Sequence, residues 1–155
     1  MNTVSKFSVQ ALFITILLST QSYADSTDGI IRIQSTHDVT TTIDHLETVL
    51  RKKGMTIFKR VNHTAGAEKA GLQLRPTELL IFGNPKVGTP LMLCSQTAAL
   101  DLPQKALAYK DENGEVWLAY NDPAYMAKRH GIQGCEKPLQ KVTNALANFT
   151  RAATE

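Results

Sequence analysis

The spacing of apolar residues changes repeatedly along the chain, from alternation to a three-to-four-residue period and back, and each change marks an element boundary. Ile30-Ile31-Arg32-Ile33 is β-branched and bounded by Gly29 and Ser35, which predicts a first strand. Val39, Ile43, Leu46 and Leu50 then recur at helical spacing and predict a helix with one buried face, ending in Arg51-Lys52-Lys53 before Gly54. Cations in that last turn complement the negative end of the helix dipole. Met55 to Val61 alternates as a strand with one protected face, and Asn62-His63-Thr64 turns it into about two helical turns over Ala65 to Gly71. Glu78 to Phe82 is almost wholly apolar and predicts a short strand buried on both faces. Asn84 follows as a helix N-cap with Pro85 at the first helical position, although Gly88 and Pro90 argue against a long continuation.

The second half is punctuated more sharply. Lys105 to Tyr109 and Val116 to Tyr120 flank Asp111-Glu112-Asn113-Gly114, and Asn-Gly between strand-like runs signals a hairpin. Asp122-Pro123 caps a helix that runs to His130 and stops at Gly131. A last helix over Lys137 to Ala152 carries Leu139, Val142, Leu146 and Phe149 on one side. Strands and helices in this order predict a compact α/β (α+β-like) domain, a mixed sheet with an antiparallel hairpin covered by helices.

The start of the chain reads differently. Lys6, an apolar run from Val9 to Leu18, and Ser22-Tyr23-Ala24 with small residues at the −3 and −1 positions read as a secretory signal peptide over residues 1–24, cleaved after Ala24. The run is too short for a membrane span, which needs about 20 apolar residues, and no cysteine adjoins the cut for lipidation. The expectation is a periplasmic or secreted protein with no membrane attachment after cleavage. Residues 25–37 then form a leader with the first strand, and residues 38–155 one α/β domain. Without Lys6 the 17 Lys and Arg become 16 against 14 Asp and Glu, a net charge of +2 that gives no footing for nucleic acid. Cys94 and Cys135 form a disulfide candidate in an oxidising compartment, with two free thiols or a soft-metal site as the alternatives.

Candidate chemistry is sparse. Gly83-Asn84-Pro85-Lys86-Val87-Gly88-Thr89 follows a strand as a phosphate-binding loop does, but Thr89 replaces the phosphate-reaching lysine and Pro90 the magnesium-holding hydroxyl. That leaves only turn amides that could hold an anion in a backbone nest. His37 and His45 read as solvated, whereas His63 and His130 each sit at the end of an element. Short paired zinc ligands are missing, and Met92, Cys94, Met126 and His130 leave only a weak case for a soft metal. For acid-base work the carboxylates are Asp101 and Asp122; Asp122 also reads as an N-cap and Asp101 as an Asx-turn anchor. Tyr120 and Tyr125 offer rings with a polar end.

Several separated motifs carry a family likeness: Thr41 to Gly54, His63 with Ala67 and Gly71-Leu72, Phe82-Gly83-Asn84-Pro85, Gly88-Thr89-Pro90-Leu91-Met92, Leu100-Asp101-Leu102-Pro103, and Trp117 through Gly131. Together, over residues 41–132, they resemble the bacterial domain-of-unknown-function family 302. The resemblance implies a compact α/β fold and brings no activity or cofactor with it. Asn62 departs from the family's Asp before the histidine, and Cys94 and Cys135 look peculiar to this chain. Two functions are carried forward. The first is an exported accessory module whose cleft, framed by His63, Asn84, Asp101, Tyr120 and His130, binds a small ligand or metal ion. The second is a hydrolase or isomerase using a His/carboxylate pair within hydrogen-bond reach in a shared cavity.

Overall fold

The computed structural model describes residues 28–155, so the leader expected over residues 1–24 lies outside the described residues. Five strands form one sheet in the order β1-β5-β4-β3-β2: β1 (Ile30–Gln34), β2 (Thr56–Asn62), β3 (Thr77–Gly83), β4 (Gln104–Lys110) and β5 (Val116–Asn121). The helices are α1 (Val39–Lys52), α2 (His63–Lys69), α3 (Pro85–Cys94), α4 (Pro123–Arg129) and α5 (Glu136–Thr154), with a 3-10 turn at Gln96–Leu100.

Every neighbouring pair of strands is antiparallel, which corrects the expected mixed sheet. The reason is α1, which carries the chain from β1 at one edge to β2 at the other instead of returning it beside its starting strand. β1 is a full member of the domain, paired with β5 from Ile30–Asn121 to Gln34–Trp117. β3 is also corrected: Glu78, Leu80 and Phe82 are buried while Thr77, Leu79 and Ile81 are only half-buried, so it protects one face fully and not two. The predicted hairpin forms between β4 and β5.

The core lies on a single face. Cross-strand rows Leu80–Ala106–Tyr120–Ile31 and Glu78–Ala108–Leu118–Ile33 meet the apolar sides of α1 and α5. Ile43, Leu46 and Leu50 of α1 are fully buried, and Val142 and Leu146 of α5 nearly so. Helix α3 runs through Gly88 and Pro90, further than its composition predicts. Propensity is overridden there by tertiary contact: Leu91 is fully buried, and a Cys94–Cys135 disulfide ties the helix end to the start of α5.

Local caps follow the sequence signals. Asp38 accepts the Thr41 amide at 2.8 Å at the start of α1, and that bond holds its carboxyl below the usual carboxylate range. Asp111 accepts the Trp117 indole N–H at 3.0 Å, and the amides of Glu115 and Asn113, with the same effect on its pKa. Such groups add stability above their unfolded pKa, about 3.9, and the contribution fades as pH falls through the lower folded values. Asp111→Asn is expected to flatten the fall of melting temperature below about pH 4 relative to the unaltered protein. The disulfide closes 41 residues of separation, so Cys94→Ser with Cys135→Ser should lose up to about 4 kcal/mol in chemical denaturation.

Candidate functional site

Two polar clusters and one apolar hollow stand out, and they are separate. The first cluster joins the 3-10 turn to the end of α4. His130 Nε2 lies 2.7 Å from Asp101 Oδ2, and its Nδ1 lies 3.1 Å from Thr97 Oγ1. An ionised carboxylate only accepts, so Nε2 carries a proton, and in the neutral ring Nδ1 accepts the Thr97 hydroxyl. Arg129 Nη1 reaches both Asp101 oxygens at 3.0 and 3.2 Å, and Ser95 Oγ donates to the His130 carbonyl at 2.8 Å. The contact required of an acid-base pair is present, yet both ring nitrogens are engaged and the His130 side chain is only 4% exposed. Neither residue lines the hollow described below. The arrangement works as a clasp holding α4 to the segment after α3.

The second cluster surrounds Glu78, which is 5% exposed. Its carboxylate accepts Thr40 Oγ1 at 2.8 Å, Arg60 Nε at 2.6 Å and Asn62 Nδ2 at 3.4 Å, tying α1 to β2 and β3. Burial pulls the Arg60 guanidinium down, but its bonds to Glu78 and Asp44 prevail and raise its pKa. Asn62 also caps α2, accepting the Ala65 amide at 2.8 Å. An amide at this position can donate to Glu78, whereas an aspartate would set two carboxylates face to face.

The hollow, about 570 Å³, lies beyond the end of the sheet between α3 and α5. Met55 and Phe82 come from the strands, Val87, Leu91 and Met92 from α3, and Leu102 and Pro103 from the approach to β4. Val142, Ala145, Leu146 and Phe149 complete it from α5. Phe58 stands where the β2–β3 register shifts between Ile57 and Lys59, and such a bulge re-aims the side chain. It lines the hollow while 53% exposed. Gly83 permits this placement: a Cβ there would come within 3.3 Å of the Phe58 ring and 3.5 Å of Pro103. The volume falls in the range of about 300–1,000 Å³ usual for small-molecule pockets, and the lining is mostly apolar as such pockets are.

The five residues expected to frame one cleft do not share it. Asn84 alone lines the hollow. There it caps α3, accepting the Lys86 amide at 2.9 Å and donating to the Gly54 carbonyl at 3.1 Å. Its carbonyl takes the Val87 and Gly88 amides, so the backbone nest considered for an anion is already filled. Asp101 and His130 are together in the clasp, Tyr120 is buried in the core, and His63 is exposed at the start of α2. They are dispersed because each answers a different local demand: Asn84 caps α3, Asp101 and His130 bond to each other, and Tyr120 packs in the core. Asp122 is an N-cap, accepting the Ala124 amide at 2.8 Å. The soft-metal set also separates, with Cys94 in the disulfide and Met126 in the core. His45 is exposed as expected, and its ring meets that of His37 edge to face with centroids 4.6 Å apart; His37 departs from the expectation, being half-buried with its Nε2 buried. The sequence reading missed the apolar wall and its lysines, Lys53, Lys86 and Lys141. The available signal was Lys141 beside the Val142–Leu146–Phe149 stripe.

The described residues form a small α/β domain with a mostly apolar hollow beside its sheet. The chain belongs to the family described as Domain of unknown function DUF302, whose model matches residues 31–149. In fold it is similar to the uncharacterized conserved protein DUF302 from Bacillus stearothermophilus, with a TM-score of 0.73 and 17% identity over 81% of this chain and 98% of that one. It is also 50% identical over 104 residues to proteins named Fluoride-specific ion channel FluC 1 of Brucella suis and Brucella abortus. That match takes in 67% of this chain and 41% and 38% of theirs, so the chain spans about two fifths of the length of these curated relatives. Among the described residues no helix is long and apolar enough to cross a membrane.

Removing Asp101 strands the part-buried His130 ring N–H and takes away both contacts of the Arg129 guanidinium. Asp101→Ala is therefore expected to cost about 1–3 kcal/mol in urea denaturation.

Proposed function

We propose that the protein is an exported accessory module that binds an apolar small molecule between α3 and α5. The observation that carries this reading is the 570 Å³ hollow, walled by mostly apolar side chains from four parts of the chain. Apolar surface so displayed gains free energy when a ligand removes it from water, at about 25 cal/mol per Å². The signal-like start and the Cys94–Cys135 bond support an oxidising compartment such as the periplasm. Turnover is the weaker reading, because the His130–Asp101 pair has no ring nitrogen left to offer a substrate. Ion conduction stays with the channel-named relatives, of which this chain matches less than half.

Titration with the neutral fluorophore N-phenyl-1-naphthylamine is expected to give saturable enhancement. Ala145→Trp, which fills the hollow from α5, should abolish that signal while keeping a cooperative melt. Equal enhancement by both proteins would place the dye elsewhere and remove the reading.

A further inference from the structure

The charge around the hollow is one-sided. Lys53, Lys86 and Lys141 line it, and an adjoining hollow of about 280 Å³ adds Lys137 and shares Lys86 and Lys141. No Asp or Glu lines either hollow. All four lysines are exposed, and among the described residues none of them is in an ion pair. Lys137 and Lys141 are four apart on α5 and so lie on one face, where like charges repel without a counter-charge between them. The amides at the start of α3 are taken by Asn84, so the cationic side chains are what an incoming anion would meet.

Resting on the pocket reading above, we propose that the ligand is a single-chain amphiphile with a carboxylate headgroup, a free long-chain fatty acid in chemical class. Its hydrocarbon chain enters between Phe58, Leu91 and Phe149. Its carboxylate sits at the mouth among Lys86, Lys141 and Lys53. Apolar burial supplies most of the affinity and is indifferent to the headgroup. The lysines supply selection among headgroups, since exposed charge contacts are individually weak and add when several converge. Electrostatic attraction also speeds capture, and salt weakens it.

The test is competition against N-phenyl-1-naphthylamine bound to the purified protein, using dodecanoate, dodecanol and dodecyltrimethylammonium, each below its micelle-forming concentration. Dodecanoate is expected to displace the dye at a concentration about tenfold below that of dodecanol, the scale of a few exposed charge contacts, with the cation weakest. The advantage should shrink as salt is raised. Lys86→Gln with Lys141→Gln should cut it to the share left by Lys53 and change neutral dye binding by a much smaller factor; Lys86→Glu with Lys141→Glu should favour the cation. Both pairs alter exposed side chains, and an unchanged melt checks their folding. Equal displacement by dodecanoate and dodecanol overturns the headgroup assignment and leaves the apolar pocket standing. Failure of the dye itself to bind overturns the pocket reading as well. Stronger displacement by phosphatidylglycerol vesicles than by dodecanoate overturns the assignment to a free acid in favour of a membrane lipid.

Discussion

Ala106 and Ala108 occupy the middle of the sheet, opposite Leu80 and Glu78 on one side and Tyr120 and Leu118 on the other. Small side chains in the central strand let α1 settle close to the sheet, and α5 packs against α1, so that Ile43, Leu46, Leu50 and Leu146 exclude water together. That close approach is the constraint on which the remaining geometry depends. Burial at this density contributes the main favourable free energy of the fold. Beyond that packed region Phe149, Ala145 and Lys141 of α5 line the hollow opposite α3, across a gap that the sheet does not fill.

Two carboxylates shielded from water are used to join elements. Glu78 gathers Thr40, Arg60 and Asn62; Asp101 gathers Arg129 and His130. In each case the carboxylate has its acceptor sites taken by donors from other segments, which is the condition under which a charge can be buried without large cost. Groups so committed are poor reactants. The lining of the hollow is instead mostly apolar, with exposed lysines at its border.

Much of the fold could be read from single residues. Asp122 before Pro123, Asn113-Gly114 between two strands, and the Val39–Ile43–Leu46–Leu50 stripe each have a local physical meaning that the structure bears out. The strand from Met55 was legible as well, but its bulge at Phe58 was not, because two adjacent apolar residues fit either a slip in register or a buried pair. The failure at β3 has a similar cause. An apolar run shows that a strand is protected, and only its neighbours decide on how many faces. Glu78 was passed over at the head of that run because its partners lie 38, 18 and 16 residues away.

By itself, then, the chain determined its elements, their caps, the single-domain α/β class and the family to which it belongs, all of which rest on interactions within a few residues or on motif order. The tertiary structure decided the rest: the wholly antiparallel strand order, the pairing of Cys94 with Cys135, the union of His130 with Asp101, and the hollow between α3 and α5. A cavity is space that side chains from distant segments fail to fill, and no local pattern encodes it. Its shape exists only once packing has placed every wall.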